Sequence, residues 1–288
     1  MGDISASSNL AQRAFNGPIE FPSLNLIFSP DKTFFGTNIH WYGIIIAIGL
    51  IVAVLVCLRI GKKHGVSEDT IFDMVIFGAP SAVICARIYY VVFKWDSYKN
   101  RFADVFKIWE GGIAIYGAVI GAVAAVLIYC KVKKLNPLRC IDVGCIGLAI
   151  GQAIGRWGNF VNREAFGAPA SSLVPWRMRL YTDATLSTWA EVHPTFLYES
   201  LWNIGVVVLL INIIKKKKID GQVFWTYLLS YGIGRLWIEG LRLDSLYLGA
   251  VRISQIVALI TVVLALIMLI VCSKKVKNQQ YTCENQYE

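Results

Sequence analysis

The sequence predicts an all-α, polytopic membrane fold with about seven transmembrane helices, and three observations support this. Hydrophobic residues make up 56% of the 288 residues and charged residues only 16%, with a mean hydropathy of +0.55. Soluble domains carry about 25% charged residues, so the surplus apolar surface requires a bilayer. The apolar residues also gather in runs long enough to cross a membrane. The net charge of +9 comes from Lys and Arg between these runs, which disfavours a nucleic-acid-binding domain.

Seven apolar runs have about the 17–25 residues that a transmembrane helix needs. Two of them carry glycines every four positions, at Gly117 and Gly121 and at Gly147, Gly151 and Gly155, a spacing that lets helices pack closely. Residues 38–272 are therefore predicted to form a seven-helix domain. The runs are Asn38–Arg59, Ile71–Phe93, Gly112–Cys130, Ile141–Phe160, Phe196–Ile214, Gly221–Ile238 and Ile253–Cys272.

Short basic loops predict the orientation, because Lys and Arg favour the cytoplasmic side. The loops after the first, third, fifth and seventh runs are basic and alternate correctly to share one face. Residues 1–37 are then an extracytoplasmic segment, interpreted as amphipathic, and residues 273–288 a cytoplasmic tail. The long polar stretch 168–192 is predicted to form a small extracytoplasmic loop domain.

The most informative stretch is Gly155–Gly167, which reads G-R-W-G-N-F-V-N-R-E-A-F-G and follows an apolar run. Charged side chains at such a position indicate a functional site. Arg156 lies in this stretch, and Arg235 lies near the outer end of the sixth run. Arginine grips phosphate through two donors and keeps its charge, so the pair favours a lipid phosphate site. The structural alternative is pairing with Glu164 or Glu239, or snorkelling to the interface.

Three polar residues follow Arg156 closely: Asn159, Asn162 and Glu164. On a continuing helix the two amides share roughly one face with Arg156, where they could hold a glycerol hydroxyl or orient the arginine. Capping of a helix end explains them equally well. The three scattered histidines do not make a metal site. No cysteine falls in a predicted outer loop, so the outer face offers no cysteine nucleophile of its own.

These motifs resemble those of the bacterial prolipoprotein diacylglyceryl transferase family, whose signature is G-R-x-G-N-F-x-N-x-E-x-x-G. Other segments match in the family's order: H-W-Y-G at His40–Gly43, E-G-G-I-A-I-Y-G at Glu110–Gly117, H-P-T-F-L-Y-E at His193–Glu199, and Y-G-I-G-R-L-W-I-E-G-L-R at Tyr231–Arg242. The resemblance implies seven helices with the amino terminus outside. It also implies transfer of the diacylglyceryl group of phosphatidylglycerol to the lipobox cysteine of a preprolipoprotein signal peptide, forming a thioether and releasing glycerol phosphate.

The resemblance also implies which residues form the site. The catalytic set is Arg156, Arg235, Tyr116 and Glu164, and the substrate-binding set is Tyr42, Asn159, Asn162, Gly167, Glu199, Tyr231, Glu239 and Arg242. No metal and no cofactor are expected, and the protein is placed in the bacterial cytoplasmic membrane with its site on the outer side.

One position departs from the family pattern. Many members have histidine, a proposed general base, where this chain has Tyr116. Tyrosine is a poor base at neutral pH. Either the base lies elsewhere, or none is needed, or Tyr116 only positions the lipid. Two other functions stay open from the residues alone. Intramembrane arginines also occur in anion transporters, although no internal repeat is visible. Another phospholipid-processing enzyme would normally need a histidine nucleophile or a metal cluster.

Overall fold

The computed structural model describes residues 17–34, 36–37, 39–181, 188–242, 247–248 and 251–284. Seven long helices account for most of them. They are α1 (Trp41–Gly61), α2 (Glu68–Phe93), α3 (Ile115–Val132), α4 (Pro137–Asn162), α5 (Thr195–Lys216), α6 (Gln222–Leu241) and α7 (Ile253–Glu284). The chain forms two compact units, residues 1–53 with 145–288 and residues 54–144, whose boundaries fall within α1 and at residue 144 of α4.

The helical membrane fold is confirmed, but the described helices are not equally apolar. Six of them are long and apolar enough to span a bilayer: α1, α2, α3, α4, α5 and the first 22 residues of α7. Helix α6 covers the remaining predicted run with 20 residues. It buries Thr226, Ser230 and Glu239 on its inner face, and these polar residues lower its hydropathy. Which side of the membrane each terminus occupies stays a prediction.

In the unit of residues 54–144, helices α2 and α3 pack backbone against backbone. A Cβ on Gly117 would overlap the carbonyl oxygen of Cys85, and one on Gly121 would overlap that of Ser81. Only glycine permits this approach, as the four-residue spacing predicts. The long loop between the two helices is fastened by a buried side chain, Arg87, which donates to the carbonyl oxygens of residues 104, 105, 111 and 112 at 2.6–2.8 Å.

The other unit contains a four-stranded antiparallel sheet that the sequence analysis did not predict. Its order is β2 (Leu26–Phe28), β1 (Ile19–Phe21), β3 (Met178–Tyr181) and β4 (Trp189–Val192). Each of the three pairings is antiparallel, and Ile19 of β1 lies opposite both Phe28 and Leu180. Two further strands of two residues each, β5 (Tyr247–Leu248) and β6 (Val251–Arg252), pair antiparallel before α7.

The sheet includes part of the stretch 1–37, which was interpreted as an amphipathic segment. Ile19 and Phe21 are buried and Glu20 between them is not, which is the alternation of a strand. Residues 1–16 of that segment lie outside the described residues. The stretch 168–192 contributes β3 and β4, apart from residues 182–187, and residues 285–288 of the predicted tail are likewise outside the described part. The domain boundaries themselves stay predictions.

Charged side chains cross-link the four strands. Arg179 of β3 contacts Glu20 of β1 at 3.3 Å and Glu191 of β4 at 2.9 Å, and Arg177 contacts Glu191 as well. Burial acts to raise the pKa of Glu191, but the hydrogen bonds from the two arginines outweigh it and hold that pKa below its ordinary value. The hydrogen bond to Glu20 raises the pKa of Tyr181.

Candidate active site

The turn after α4 positions three of the polar side chains that the sequence singled out. Helix α4 ends at Asn162, and Arg163 and Ala165 then take left-handed conformations, each with a φ of 56°. These conformations reverse the chain, so the Glu164 side chain returns to the helix end. Its Oε1 accepts hydrogen bonds from the amides of Asn159 at 2.9 Å and Asn162 at 3.3 Å. Non-glycine residues in this conformation cost about 1–2 kcal/mol each, so tertiary contacts must hold the turn.

Three arginines, one from α4 and two from α6 and its end, meet at one buried carboxylate, Glu199 of α5. Arg156 of α4 contacts Glu199 Oε2 at 2.6 Å. Arg242, directly after α6, contacts Oε1 at 3.3 Å, and Arg235 of α6 lies 3.8 Å from the same oxygen. Glu199 therefore joins the two arginines predicted to share a lipid phosphate. The sequence had suggested Glu164 as a partner of Arg156, and the structure links those two through Asn159, which contacts Arg156 at 3.4 Å.

The arginines of this cluster also contact a second buried carboxylate. Arg235 also pairs with Glu239 one turn along α6, at 2.7 Å. Three guanidinium groups thus contact two buried carboxylates, Glu199 and Glu239. The guanidinium side chains of Arg156, Arg235 and Arg242 keep 25%, 21% and 13% of their surface exposed. An anion can therefore reach them.

The predicted tyrosines take different places around the cluster. Tyr42, near the start of α1, packs on Gly158 of α4, where an added Cβ would lie 2.6 Å from the ring. Tyr231 lies one turn before Arg235 on α6, and its ring stacks on that of Tyr227 at 6.1 Å. Both Tyr42 and Tyr231 are more than one third exposed, so part of each side chain is accessible to a ligand.

Gly167 has a structural place in this unit. Its backbone pairs with Arg242, and its N–H donates to the carbonyl of His193 at 2.9 Å. A side chain at Gly167 would meet His193 Cβ at 2.8 Å and Thr195 Cγ2 at 3.0 Å. The position thus connects the segment after α4 with the start of α5 and the end of α6. The ring of His193 is within hydrogen-bond distance of the Tyr198 hydroxyl, at 3.1 Å.

Tyr116 belongs to the other unit, where it is the second residue of α3. Its ring is 42% exposed and lies 6.4 Å from the ring of Tyr89 on α2. Its assignment to the catalytic set stays a prediction.

The sequence analysis missed the role of the second arginine in the motif. Arg163 is buried and donates to three carbonyl oxygens, those of Gly17 at 2.8 Å, Val161 at 2.8 Å and Pro30 at 2.9 Å. Burial lowers its pKa, which Asp31 acts to raise, and arginine remains protonated in such settings. Arg163 thus fastens the strand-forming segment to the end of α4. Its position directly after the last helical residue was the available signal.

Comparison with known proteins gives a consistent result. The family model described as prolipoprotein diacylglyceryl transferase matches residues 32–271. A phosphatidylglycerol–prolipoprotein diacylglyceryl transferase of Clostridioides difficile (strain 630) is 44% identical over 246 residues, which cover 85% of this chain and 96% of the relative.

Two further relatives of the same name agree. The protein of Finegoldia magna is 42% identical over 243 residues, covering 84% of this chain and 94% of the relative. That of Lysinibacillus sphaericus is 43% identical over 258 residues, covering 86% of this chain and 93% of the relative. The resemblance stated from the motifs is thereby confirmed, and the comparisons do not support the transporter alternative.

Proposed function

The chain belongs to the prolipoprotein diacylglyceryl transferase family, and on that premise we propose the reaction that it performs. It is a multi-pass membrane enzyme that transfers the diacylglyceryl group of phosphatidylglycerol to a prolipoprotein, in lipoprotein maturation. The acceptor is the thiol of the lipobox cysteine. Sulfur attacks the glycerol CH₂ that carries the phosphate, the carbon–oxygen bond breaks, and a thioether and glycerol phosphate form. The thiol proton leaves with solvent or a base.

The observation that carries this proposal is the arginine cluster on Glu199. Phosphatidylglycerol has one anionic phosphate, and the cluster gathers three guanidinium groups whose side chains are partly exposed. Glu199 and Glu239 orient the arginines before substrate arrives, because each holds a guanidinium edge through an ion pair. We therefore assign the phosphate to Arg156, Arg235 and Arg242.

The same groups address the difficult part of the chemistry. A thiol with a pKa near 8.5 is already a few per cent thiolate at pH 7 and is strongly nucleophilic. Expelling phosphate from carbon is harder, because negative charge grows on the leaving oxygen. Fixed cations in a water-poor site stabilise that charge best. The cluster also favours the incoming thiolate, so Arg156 and Arg235 assist both partners.

The remaining predicted residues take supporting roles. Asn159 and Asn162 hold Glu164 at the end of α4, next to Arg156, where the three offer hydrogen bonds to a glycerol hydroxyl. Tyr42 on α1 and Tyr231 on α6 are partly exposed, and we assign their hydroxyl groups to hydrogen bonds with the lipid. Gly167 contributes by letting the His193–Thr195 segment at the start of α5 pack closely against it.

We place the protein in the bacterial cytoplasmic membrane with the arginine cluster on the outer side. The cluster lies at the start of α5, whereas the opposite end of α5 carries Lys215 and Lys216 in its last turn. Helix α6 begins after this basic loop and ends at the cluster. Basic loops favour the cytoplasmic face, so the cluster faces outward.

The test is turnover of phosphatidylglycerol with a lipobox peptide by the purified protein, followed by mass spectrometry of the thioether product. Replacing Arg156 or Arg235 by alanine should lower the rate about 10²–10³-fold, the usual loss for one such donor. Lysine should restore only part, because it lacks the forked donor geometry. Arg101→Ala is the matched control, since that side chain is 74% exposed. Full activity in Arg156→Ala would contradict the assignment.

A further inference from the structure

An apolar groove runs beside the arginine cluster, on the membrane-spanning part of the same unit. The groove lies between helices α1, α4 and α5 and has a volume of about 260 Å³. Ile45 and Ile48 of α1, Ile154 and Trp157 of α4 and Ile204 of α5 line it. Ile48 and Ile204 are about half exposed, at 49% and 50%, so the groove is open to the side. In a bilayer, that side faces lipid.

The polar atoms in the groove already have protein partners. Trp157 Nε1 donates to the hydroxyl of Ser200 at 3.2 Å, and that hydroxyl donates to the carbonyl of Ala153 at 2.9 Å. A ligand in the groove therefore need not supply hydrogen bonds. Its lining suits a hydrocarbon chain.

The groove lies close to the cation cluster along α4 and α5. Trp157 follows Arg156 on α4, and Ser200 follows Glu199 on α5; those two charged residues form the 2.6 Å ion pair. The other lining residues lie up to about one turn deeper into the apolar part of each helix, which is about 6 Å at 1.5 Å per residue. The unit thus presents positive charge at the membrane edge and an apolar channel below it. This arrangement complements an anionic amphiphile.

We infer that this groove holds one acyl chain of the donor phospholipid while its phosphate lies at the arginines, an inference that rests on the proposed function. Bilayer lipid is as apolar as the groove, so the groove adds little general affinity. Its contribution is to fix the glycerol carbon relative to the arginines, because the chain and the phosphate are held together. The enzyme should consequently discriminate among donors by their acyl chains.

The test places a larger side chain in the groove and varies the acyl-chain length of the donor lipid. Ile204→Trp places a larger side chain at the open edge, and Leu209→Trp, on an exposed position of α5 outside the lining, is the matched control. We measure KM and kcat with phosphatidylglycerols of six-carbon and of sixteen-carbon chains. The expected result for Ile204→Trp is a KM about five-fold higher for the long-chain donor and unchanged for the short one, with no effect of Leu209→Trp. An equal change for both donors, or a change only in the KM for the lipobox peptide, would overturn the inference.

A second measurement separates this inference from the transferase proposal. Phosphatidylglycerol with a diazirine on one acyl chain is photolysed in the presence of the wild-type protein, and the labelled residues are mapped by mass spectrometry. Labels at Ile45, Ile48 and Ile204 that excess unlabelled phosphatidylglycerol removes, but excess phosphatidylcholine does not, support the inference. Labelling that both lipids remove equally means that bulk lipid fills the groove, and overturns it. Absence of thioether product in the wild type would instead refute the transferase proposal, whichever labels are found.

Discussion

Replacing Arg163 by methionine should release the strand-forming segment from the end of α4. The arginine donates to the carbonyl oxygens of Gly17, Pro30 and Val161, all at 2.8–2.9 Å, and only 4% of the residue is exposed. Methionine preserves most of the apolar stem and removes all three donors. The change therefore tests the hydrogen bonds with little loss of packing.

The size of the effect follows from those contacts. Hydrogen bonds to a charged group contribute about 1.5–3 kcal/mol each, which gives an upper bound of roughly 4–9 kcal/mol for three. Water can reach the released carbonyl groups once the segment opens, so the net loss is smaller, and we expect about 3 kcal/mol. A free energy of 1.4 kcal/mol corresponds to a factor of ten. Local opening of β1 and β2 should therefore become roughly 100-fold more frequent.

Hydrogen–deuterium exchange with mass spectrometry measures this opening in detergent-solubilised protein. The amides of Ile19–Phe21 and Leu26–Phe28 should exchange about 100-fold faster in Arg163→Met, whereas helix α6 should be unchanged. Arg101→Met is the matched control, because that side chain is mostly exposed and contacts Asp104 at 3.5 Å. Exchange of β1 within about threefold of wild type would show that Arg163 does not fasten the segment.

Three other predictions follow from the contacts described. The pKa of Glu191 lies below its ordinary value, so its ion pairs stabilise the sheet at neutral pH. This contribution is lost as pH falls through that lowered pKa. The unfolding temperature should therefore decline from pH 7 to pH 3, and the decline should be smaller in Glu191→Gln. Gly117→Ala should destabilise the protein by about 1–3 kcal/mol through overpacking against α2, and Gly78→Ala, where a Cβ meets nothing within 4 Å, should be neutral in the same thermal assay. Since phenol is a weak base at neutral pH, Tyr116→Phe should retain turnover within about tenfold, and a larger loss with a displaced pH–rate profile would identify Tyr116 as the base.

The sequence could predict the helices because apolar length is a local property. Each predicted run from Asn38 to Cys272 corresponds to a helix over most of its length. The spacing of Gly117 and Gly121 predicted a close helix contact, and the structure shows that the partner is α2. The sequence could not predict the sheet, since its strands are short and its central pairing, β1 with β3, joins residues about 160 positions apart in the chain. The pairing of Ile19 with Leu180 depends on tertiary structure that no local pattern contains.

In the candidate site, too, the features that a local pattern encodes could be predicted and those that depend on tertiary contacts could not. Arg156 and Arg235 stood out because charge at the end of an apolar run is unusual, and the structure brings them to one carboxylate. The centre of the cluster, Glu199, was assigned only through resemblance, because an isolated glutamate near a helix start has many ordinary explanations. Arg163 was missed because its partners are backbone carbonyl groups, which every residue carries and no sequence pattern distinguishes.

The backbone contacts around Gly167 have a consequence for how the enzyme works. The N–H of Ala168 donates to Leu241 O at 2.6 Å and that of His193 to Ala168 O at 3.1 Å, so the chain segments bearing the three arginines are joined to one another. Bringing mutually repelling cations together costs free energy, and here the free energy of folding compensates that cost before substrate binds. In the proposed reaction, turnover then begins from a preorganised electrostatic environment, so little reorganisation energy has to be supplied in each catalytic cycle.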